Sequence, residues 1–393
     1  MTPNARYAAA IAVLDEILMA NAPAEQALLR WSRGARYAGS GDRAAVRDLV
    51  FDALRRRGSL ARIGGAATGR GLMLGALRLA GGDPAQVFTG ARHEPAALTE
   101  SEAAPSPPDA GADDPMIDIP EWLWPRWHAS LGDAAPAVAD AMRQRAPVWL
   151  RHNPLRGSRA DALALLAADG IIAQADPVLP GALRVTSGER RISGSHAYRQ
   201  GRVELQDRSP QMACALLAVG AEDSVLDYCA GGGGKALALA SAGAGSIVAH
   251  DADPARMRDL PARADRAGAR ISIARHPQGQ FDLVVTDVPC SGSGTWRRTP
   301  DAKWRLTEAA LQAVVTTQAQ ILDRAAGYVA PSGRLAYMTC SMLEDENHRQ
   351  VEAFLARHPD FALGAHHRML PPDDGDGFYC AILQRTAPKS AGL

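Results

Sequence analysis

The chain has 393 residues, is 47% hydrophobic and 22% charged, and carries a formal net charge of zero. That length supports two or three separate cores, and the composition excludes a disordered or fibrous polymer. No apolar run approaches the roughly 20 residues that span a bilayer, and the first 20 residues hold acids within their apolar part, so a soluble cytoplasmic protein without membrane partner or signal peptide is expected.

Residues 1–92 read as all-helical. Ala8–Met19 and Ala44–Arg57 carry apolar residues at i, i+3, i+4 spacing, and Ser40-Gly41-Asp42 supplies an N-cap for the second. This region holds 13 arginines against 7 acids. Arg30, Arg33, Arg36, Arg43, Arg47, Arg55, Arg56 and Arg57 fit either a solvated helical face or a phosphate-contacting module. Residues 93–118 carry 7 acids and no Lys or Arg, are rich in Pro and Ala, lack periodicity, and read as a mobile linker. Trp122, Trp124 and Trp127 follow, a cluster that fits packing between domains better than a base-stacking platform. Residues 119–206 combine connecting helices with a small α/β subdomain: Val148–His152 as a strand, Arg159–Ala168 as a helix after Ser158, and Ala182–Thr186 as a second strand. Its size matches a minimal RNA-binding, RRM-like sheet domain, without an aromatic reading pattern.

Residues 207–386 alternate strand and helix in the rhythm of a doubly wound sheet, and residues 387–393 form a tail. The expected strands are 225–229, 247–250, 281–286, 334–339 and 377–383. The expected helices are 236–242, 256–267, 306–326 and 345–357.

The first strand runs into Ala230-Gly-Gly-Gly-Gly-Lys235 and then a helix. Glycines let backbone approach a ligand, and the helix start offers free N–H groups. Asp251 closes the next strand, where a carboxylate can take two ribose hydroxyls. The spacing is neither a P-loop nor a G-x-G-x-x-G turn. The central strand ends at Asp287 and opens into Pro289-Cys290-Ser-Gly-Ser-Gly, followed by Trp296, Arg297, Arg298, Lys303 and Trp304. That stretch reads as an active-site loop bringing acid, thiol, positive charge and aromatic faces together. The five cysteines (Cys214, Cys229, Cys290, Cys340, Cys380) are widely spaced with no C-x-x-C pair, so neither a disulfide framework nor a metal site is expected. Cys290 and Cys340 each follow one of two neighbouring strands and can face one cleft. Such a pair suits attack on a pyrimidine: a thiolate adds at C6, C5 takes a methyl group, and loss of the C5 proton frees the thiol. The base must first leave its stack. Sequence chemistry does not order the two thiols.

LDYCAGGGGK, TDVPCSGSGTWRRTPDAKW and TCSMLEDEN resemble the motifs of the NOL1/NOP2/Sun family of RNA cytosine-5 methyltransferases. RYAGSGDRAAVRDLVFDALRRR resembles a NusB-like helical domain found ahead of the catalytic domain in bacterial members, and LRHN and VELQDRSPQ resemble their mid-region. The resemblance implies a Rossmann-like domain using S-adenosylmethionine, with 16S rRNA as substrate and a monomeric enzyme. It implies Cys340 as nucleophile and Cys290 as the thiol that assists product release. It places Cys229, Ala230, Gly231, Gly232, Gly233, Gly234 and Lys235 along the methionine and ribose side, Asp251 on the ribose, and Asp287 on the cofactor or the cytosine.

Two departures stand out. The usual Ala-Ala-Pro-Gly-Gly-Lys is here Ala-Gly-Gly-Gly-Gly-Lys, and an acid usual on the adenine side has no counterpart near Ala274. The alternatives are the same chemistry on tRNA, or a non-catalytic RNA-binding assembly factor that retains the fold.

Overall fold

Thr2 accepts a hydrogen bond from the Ala5 N–H and Pro3 occupies the first turn, so the first helix starts where the sequence supplies both a cap and a fixed φ. In the computed structural model, which describes residues 1–104, 113–373 and 375–386, this helix, α1 (Pro3–Ala20), is followed by α2 (Ala24–Gly34), α3 (Ser40–Arg55), α4 (Arg57–Gly64) and α5 (Gly69–Leu79). The chain divides into two compact units, Met1–Arg145 with Thr295–Glu308, and Ala146–Gly294 with Ala309–Leu393.

The first unit is helical. Ala10, Val13, Leu14 and Ile17 of α1 recur at helical spacing and pack with Val46, Val50, Phe51, Leu54, Leu72, Met73, Leu74 and Leu77 in one core. α3 begins at Ser40 and not at Ala44. Its N-cap is Gly39, whose N–H donates to the Asp42 carboxylate at 3.1 Å; Asp42 also takes the Met1 amine and Arg6. Ser40 is therefore the first helical residue. The arginines divide: Arg30 and Arg47 pair with Glu16 and Glu25, Arg55 is buried, and Arg33, Arg36 and Arg43 reach solvent.

The expected linker is partly built into this unit. Residues 105–112 lie outside the described residues, as does the tail 387–393. Before them, Thr99 caps a short helix, Glu100–Ala103, and Arg70 grips both oxygens of Glu102 at 2.7 and 2.8 Å, holding that carboxyl down at about 2. After them, Asp118 is fully buried and accepts from Ser59 and from Arg143 Nε at 2.8 Å. Composition marks these residues as polar; it does not reveal the arginines waiting for them.

Thr295–Glu308 packs in the same unit, where Trp296, Arg297, Lys303 and Trp304, the charged and aromatic part of the stretch read as an active-site loop, make packing and hydrogen-bond contacts. Trp296 is buried and stacks on Trp127, with centroids 5.7 Å apart and planes within 9°. Arg55 Nε donates to the Arg297 carbonyl at 2.7 Å, Lys303 Nζ to the Arg55 carbonyl at 3.2 Å, and Trp304 Nε1 to the Leu54 carbonyl at 2.8 Å. Lys303 and Trp304 thus cover carbonyls at the C-terminal end of α3 that no helical N–H can reach, and Arg55 in return holds the Arg297 carbonyl. Trp127 is thus packing material, as its cluster suggested.

The second unit holds two sheets. The smaller comprises β1 (Val148–His152), β2 (Ile172–Ala175), β3 (Ala182–Ser187) and β4 (Val203–Leu205), antiparallel in the order β2-β3-β1-β4. Helix Arg159–Ala168, capped by Ser158, covers it through Ala162 and Leu166. The larger comprises β5 (Ser224–Asp227), β6 (Ser246–Ala249), β7 (Ser272–Ile273), β8 (Phe281–Asp287), β9 (Val329–Thr339), β10 (Phe361–Met369) and β11 (Phe378–Arg385) in the order β10-β11-β9-β8-β5-β6-β7. Pairings from β7 through β9 are parallel; β11 runs antiparallel between β9 and β10. From β5 the chain moves outward to β6 and β7, then returns to the other side of β5 at β8. The carboxyl ends of β5 and β8 are therefore a topological switch point, the place where open α/β sheets bind ligands. The α/β, Rossmann-like expectation holds.

Element boundaries differ in places. The helix expected over 306–326 starts at Glu308 and runs to Ala326, a short helix Pro300–Arg305 precedes it that the sequence pattern did not show, and the helix expected from Arg256 starts at Leu260. β2, β4, β7 and β10 escaped the sequence pattern. β10 is largely exposed between its buried first residue and its end, so it has no apolar alternation to read, and the others are two to four residues long.

Candidate active site

β5 ends at Asp227, which is completely buried. One oxygen accepts the Ala236 N–H at 3.0 Å, and the other has no partner among the described residues. Burial pushes its pKa up to about 7, against the pull of Lys235. The chain then turns through Gly231 (φ 51°) and Gly233 (φ 80°) into the helix Gly234–Ala242. Asp251, two residues past β6 and 4% exposed, accepts the Gly231 N–H at 2.9 Å and the Asp253 N–H at 3.0 Å, and pairs with Arg256 at 3.2 Å. Ala230 donates to the His250 carbonyl at 2.9 Å, which ties the turn to the end of β6.

Lys235 reaches across the switch point, its Nζ 2.5 Å from an oxygen of Asp287 at the end of β8. Burial opposes its charge, but Asp287, followed by Cys214 and Asp227, holds its pKa above the ordinary lysine value. Cys229, between Asp227 and the glycines, is driven strongly upward by burial and then by Asp227, Asp287 and Asp251; it is a neutral thiol. Cys214 and Cys380 are buried, with pKa values pushed up to about 11 and about 12 by burial, and serve as core.

These residues fit S-adenosylmethionine. The turn presents backbone without side chains, Asp251 stands past a strand end with acceptor capacity left on Oδ1, and the buried oxygen of Asp227 is an acceptor that lacks a donor among the described residues. A ligand with an ammonium and a ribose diol supplies such donors.

The two thiols stand at the ends of β8 and β9, which are adjacent and parallel, with Asp287 opposite Met338. Cys290 Sγ lies 3.3 Å from Cys340 Sγ, both partly buried. The contact with Cys340, burial, and the charges of Cys340 and Glu346 all raise the Cys290 pKa well above its ordinary value. Around the pair runs a network. Glu346 accepts from Ser291 N–H at 2.7 Å, from Ser291 Oγ at 2.5 Å, from Gln318 Nε2 at 3.0 Å and from Ser341 Oγ. Asn347 accepts from Thr339 Oγ1 at 2.6 Å and donates to the Ser341 carbonyl at 2.9 Å, so it brackets Cys340. Gly294 N–H donates to the Cys340 carbonyl, joining the two loops again.

Of the sequence-derived candidates, the structure brings Cys290 next to Cys340 and Lys235 next to Asp287, and gathers residues 229–235 with Asp251 at the ends of β5 and β6. Sequence reasoning missed Asp227, Glu346, Asn347, Ser291, Ser341 and Gln318. Asp227 had a signal, an acid inside an apolar strand. Glu346 sits in the acidic run Glu344-Asp345-Glu346, which reads as a solvated surface, and Gln318 is one polar residue on a long helix.

Comparison with known proteins places this arrangement. Residues 214–384 match the family model described as 16S rRNA methyltransferase RsmB/F, and residues 119–190 match the ferredoxin-like domain of RsmF/B-like methyltransferases. That second match agrees with the β2-β3-β1-β4 sheet. Ribosomal RNA small subunit methyltransferase B of Cronobacter sakazakii is 34% identical over 282 residues, 67% of this chain and 66% of that protein. The Xanthomonas campestris pv. campestris protein of the same name is 34% identical over 292 residues, 68% of this chain and 67% of its own length. The matched stretch thus spans about two thirds of these relatives, and slightly less in several. Among solved structures, PH0851 superposes with a TM-score of 0.76 at 23% identity, covering 98% of this chain and 99% of the other. NSun6 from Pyrococcus horikoshii, solved with the S-adenosylmethionine analogue SFG, gives 0.61 at 17% identity over 68% of this chain and 98% of its own. The structural likenesses show the fold. The sequence matches show more, and with the thiol pair and glycine turn in place they establish that this chain belongs to the RsmB/F family of S-adenosylmethionine-dependent methyltransferases.

Proposed function

We propose that the chain methylates C5 of a cytosine in RNA, with 16S rRNA as the substrate, through a covalent bond between Cys340 and C6 of the base. The observation that carries this reading is the 3.3 Å approach of two thiols at the carboxyl ends of adjacent strands, beside the switch point. One such thiol is ordinary core material; two in contact, among glycine turns, are not.

Cys340 attacks C6 as a thiolate. The S–C6 bond forms as the C5–C6 π pair moves onto C5. Bound S-adenosylmethionine supplies the methyl group that C5 takes. A base, assigned to a water molecule in the cleft, takes the C5 proton, and the C–H electron pair restores the C5–C6 double bond as the S–C6 bond breaks and the Cys340 thiolate leaves. Cys290, kept protonated by its surroundings, donates its S–H toward Cys340. That hydrogen bond stabilises the thiolate before attack and again as it leaves. Lys235 fixes one oxygen of Asp287, and the other is assigned to the amino edge of the cytosine. Residues 229–235, Asp227 and Asp251 hold the cofactor. The helical unit, read as NusB-like, is assigned to RNA phosphates through Arg33, Arg36 and Arg43, a contact that weakens with salt.

The test is adduct trapping on a denaturing gel with unmodified small-subunit rRNA and S-adenosylmethionine. Cys290→Ala is expected to accumulate a protein–RNA adduct and Cys340→Ala to form none. Accumulation in Cys340→Ala would reverse the two roles, and neither adduct nor methyl transfer by the wild type would refute the function.

A further inference from the structure

We propose that Glu346 is a positioning residue whose carboxylate clamps the Cys290 and Cys340 loops together, and so sets the distance between the two thiols. This rests on the two-thiol reading above. Glu346 is completely buried, and among the described residues no Lys, Arg or His forms an ion pair with it. A buried carboxylate without a cation is costly unless hydrogen bonds replace its lost water. Four donors do so here, and three of them belong to Ser291 and Ser341, the residues directly after the two cysteines. The fourth, Gln318 Nε2, also donates to the Pro289 carbonyl, on the other side of Cys290. Every contact of the Glu346 side chain therefore bears on one thiol loop or the other.

The neighbouring Asn347 does not share this property, because its partners Thr339 and Ser341 both flank Cys340. Direct bonds between the loops exist as well: Ser293 Oγ lies 3.0 Å from Ser341 Oγ and accepts the Met342 N–H at 2.8 Å, beyond Gly292 from Cys290, and the Ser291 and Ser341 hydroxyls that both donate to Glu346 meet each other at 3.3 Å. The Ser291 N–H and Gln318 Nε2 can only donate, so a glutamine must turn its NH₂ group toward the two serine hydroxyls, which lose their donation to this position. The negative charge has a second effect: it disfavours the Cys290 thiolate.

The experiment measures thiol separation without using catalysis. The RNA-free full chain is treated with diamide, which takes two electrons and two protons from the thiols to give a Cys290–Cys340 disulfide and the hydrazine. Samples are quenched with N-ethylmaleimide, and the linked peptide pair is quantified by mass spectrometry. The wild type is expected to form this disulfide readily, and Glu346→Gln at least ten-fold more slowly. S-adenosylhomocysteine affinity should be unchanged, since the cofactor turn lies on β5 and β6. Methylation by Glu346→Gln should lose kcat with KM for RNA little altered. Should Glu346→Gln fail to fold, Ser341→Ala removes one donor and is expected to slow disulfide formation in the same direction. Equal rates in the wild type and a folded variant, or no disulfide in the wild type, would overturn the proposal. Methyl transfer by that same wild type would show the function standing without it.

Discussion

The glycine turn offers a graded test of how backbone, and not side chains, builds the cofactor cradle. Alanine can be placed at Gly231, Gly233 and Gly234 in turn. At Gly233 φ is 80°, and an added Cβ would lie 2.2 Å from Leu260 Cδ1 and 3.1 Å from its Cγ. Leu260 cannot swing away, because it is fully buried among Leu237, Ala249, Met257 and Ala264. The left-handed backbone costs about 1–2 kcal/mol for an L-residue, and overpacking a filled core adds about 1–3 kcal/mol. Gly233→Ala is therefore expected to destabilise the fold by roughly 2–5 kcal/mol. Gly231 shares the left-handed backbone at φ 51°, but its Cβ would meet only the exposed Arg256 guanidinium at 3.3 Å, so the backbone cost of about 1–2 kcal/mol stands alone. At Gly234 the nearest atom is Gln206 Nε2 at 3.9 Å and the backbone is unstrained, so alanine gains up to about 1 kcal/mol by stiffening the unfolded chain. Urea unfolding followed by circular dichroism on cofactor-free protein should rank the midpoints Gly234→Ala, Gly231→Ala, Gly233→Ala from highest to lowest. Equal midpoints for Gly233→Ala and Gly234→Ala would refute the reasoning, because of the two only Gly233 combines a left-handed backbone with the Leu260 clash.

Two further expectations come from buried charges. Asp251→Asn weakens the acceptor for the Gly231 N–H and for the ribose; calorimetry with S-adenosylhomocysteine should show affinity falling about 10- to 100-fold, the equivalent of one charged hydrogen bond, and a change under two-fold would remove Asp251 from the cofactor site. Lys303 is 1% exposed, and burial lowers its pKa from 10.5 to about 8, with Asp118 opposing and Arg143 and Arg55 assisting. Below pH 8 both the folded and the unfolded chain hold this proton, and the folded state bears the full cost of a desolvated ammonium. Between about 8 and 10.5 the unfolded chain binds more protons, so stability contributed here rises with pH and levels off above 10.5. Relative to Lys303→Met, the wild type should recover on the order of 3 kcal/mol across that window; a difference flat with pH would mean that Lys303 is not desolvated.

What the sequence by itself determined lies within a few residues of its own signal. Ser158 begins its helix and Val148–His152 is a strand end to end, because a cap acts over three residues and pleat alternation over two. The glycine run, the strand ends and the thiols with their flanking motifs were legible for the same reason, and the motifs carried the family. Tertiary structure alone decided which of those groups meet. Lys235 and Asp287 are 52 residues apart, and Cys290 and Cys340 are 50 apart. Strand order β9-β8-β5 makes each pair neighbours, since parallel strands bring their carboxyl ends to one edge of the sheet. Thr295–Glu308 follows the thiol loop in sequence, yet it satisfies the carbonyls around the end of α3, some 250 residues earlier in the chain. Glu346 looks solvated in its acidic run and is buried in fact, because the donors that make its burial tolerable arrive from β8, from the end of β9 and from the helix Glu308–Ala326 only once the sheet has closed.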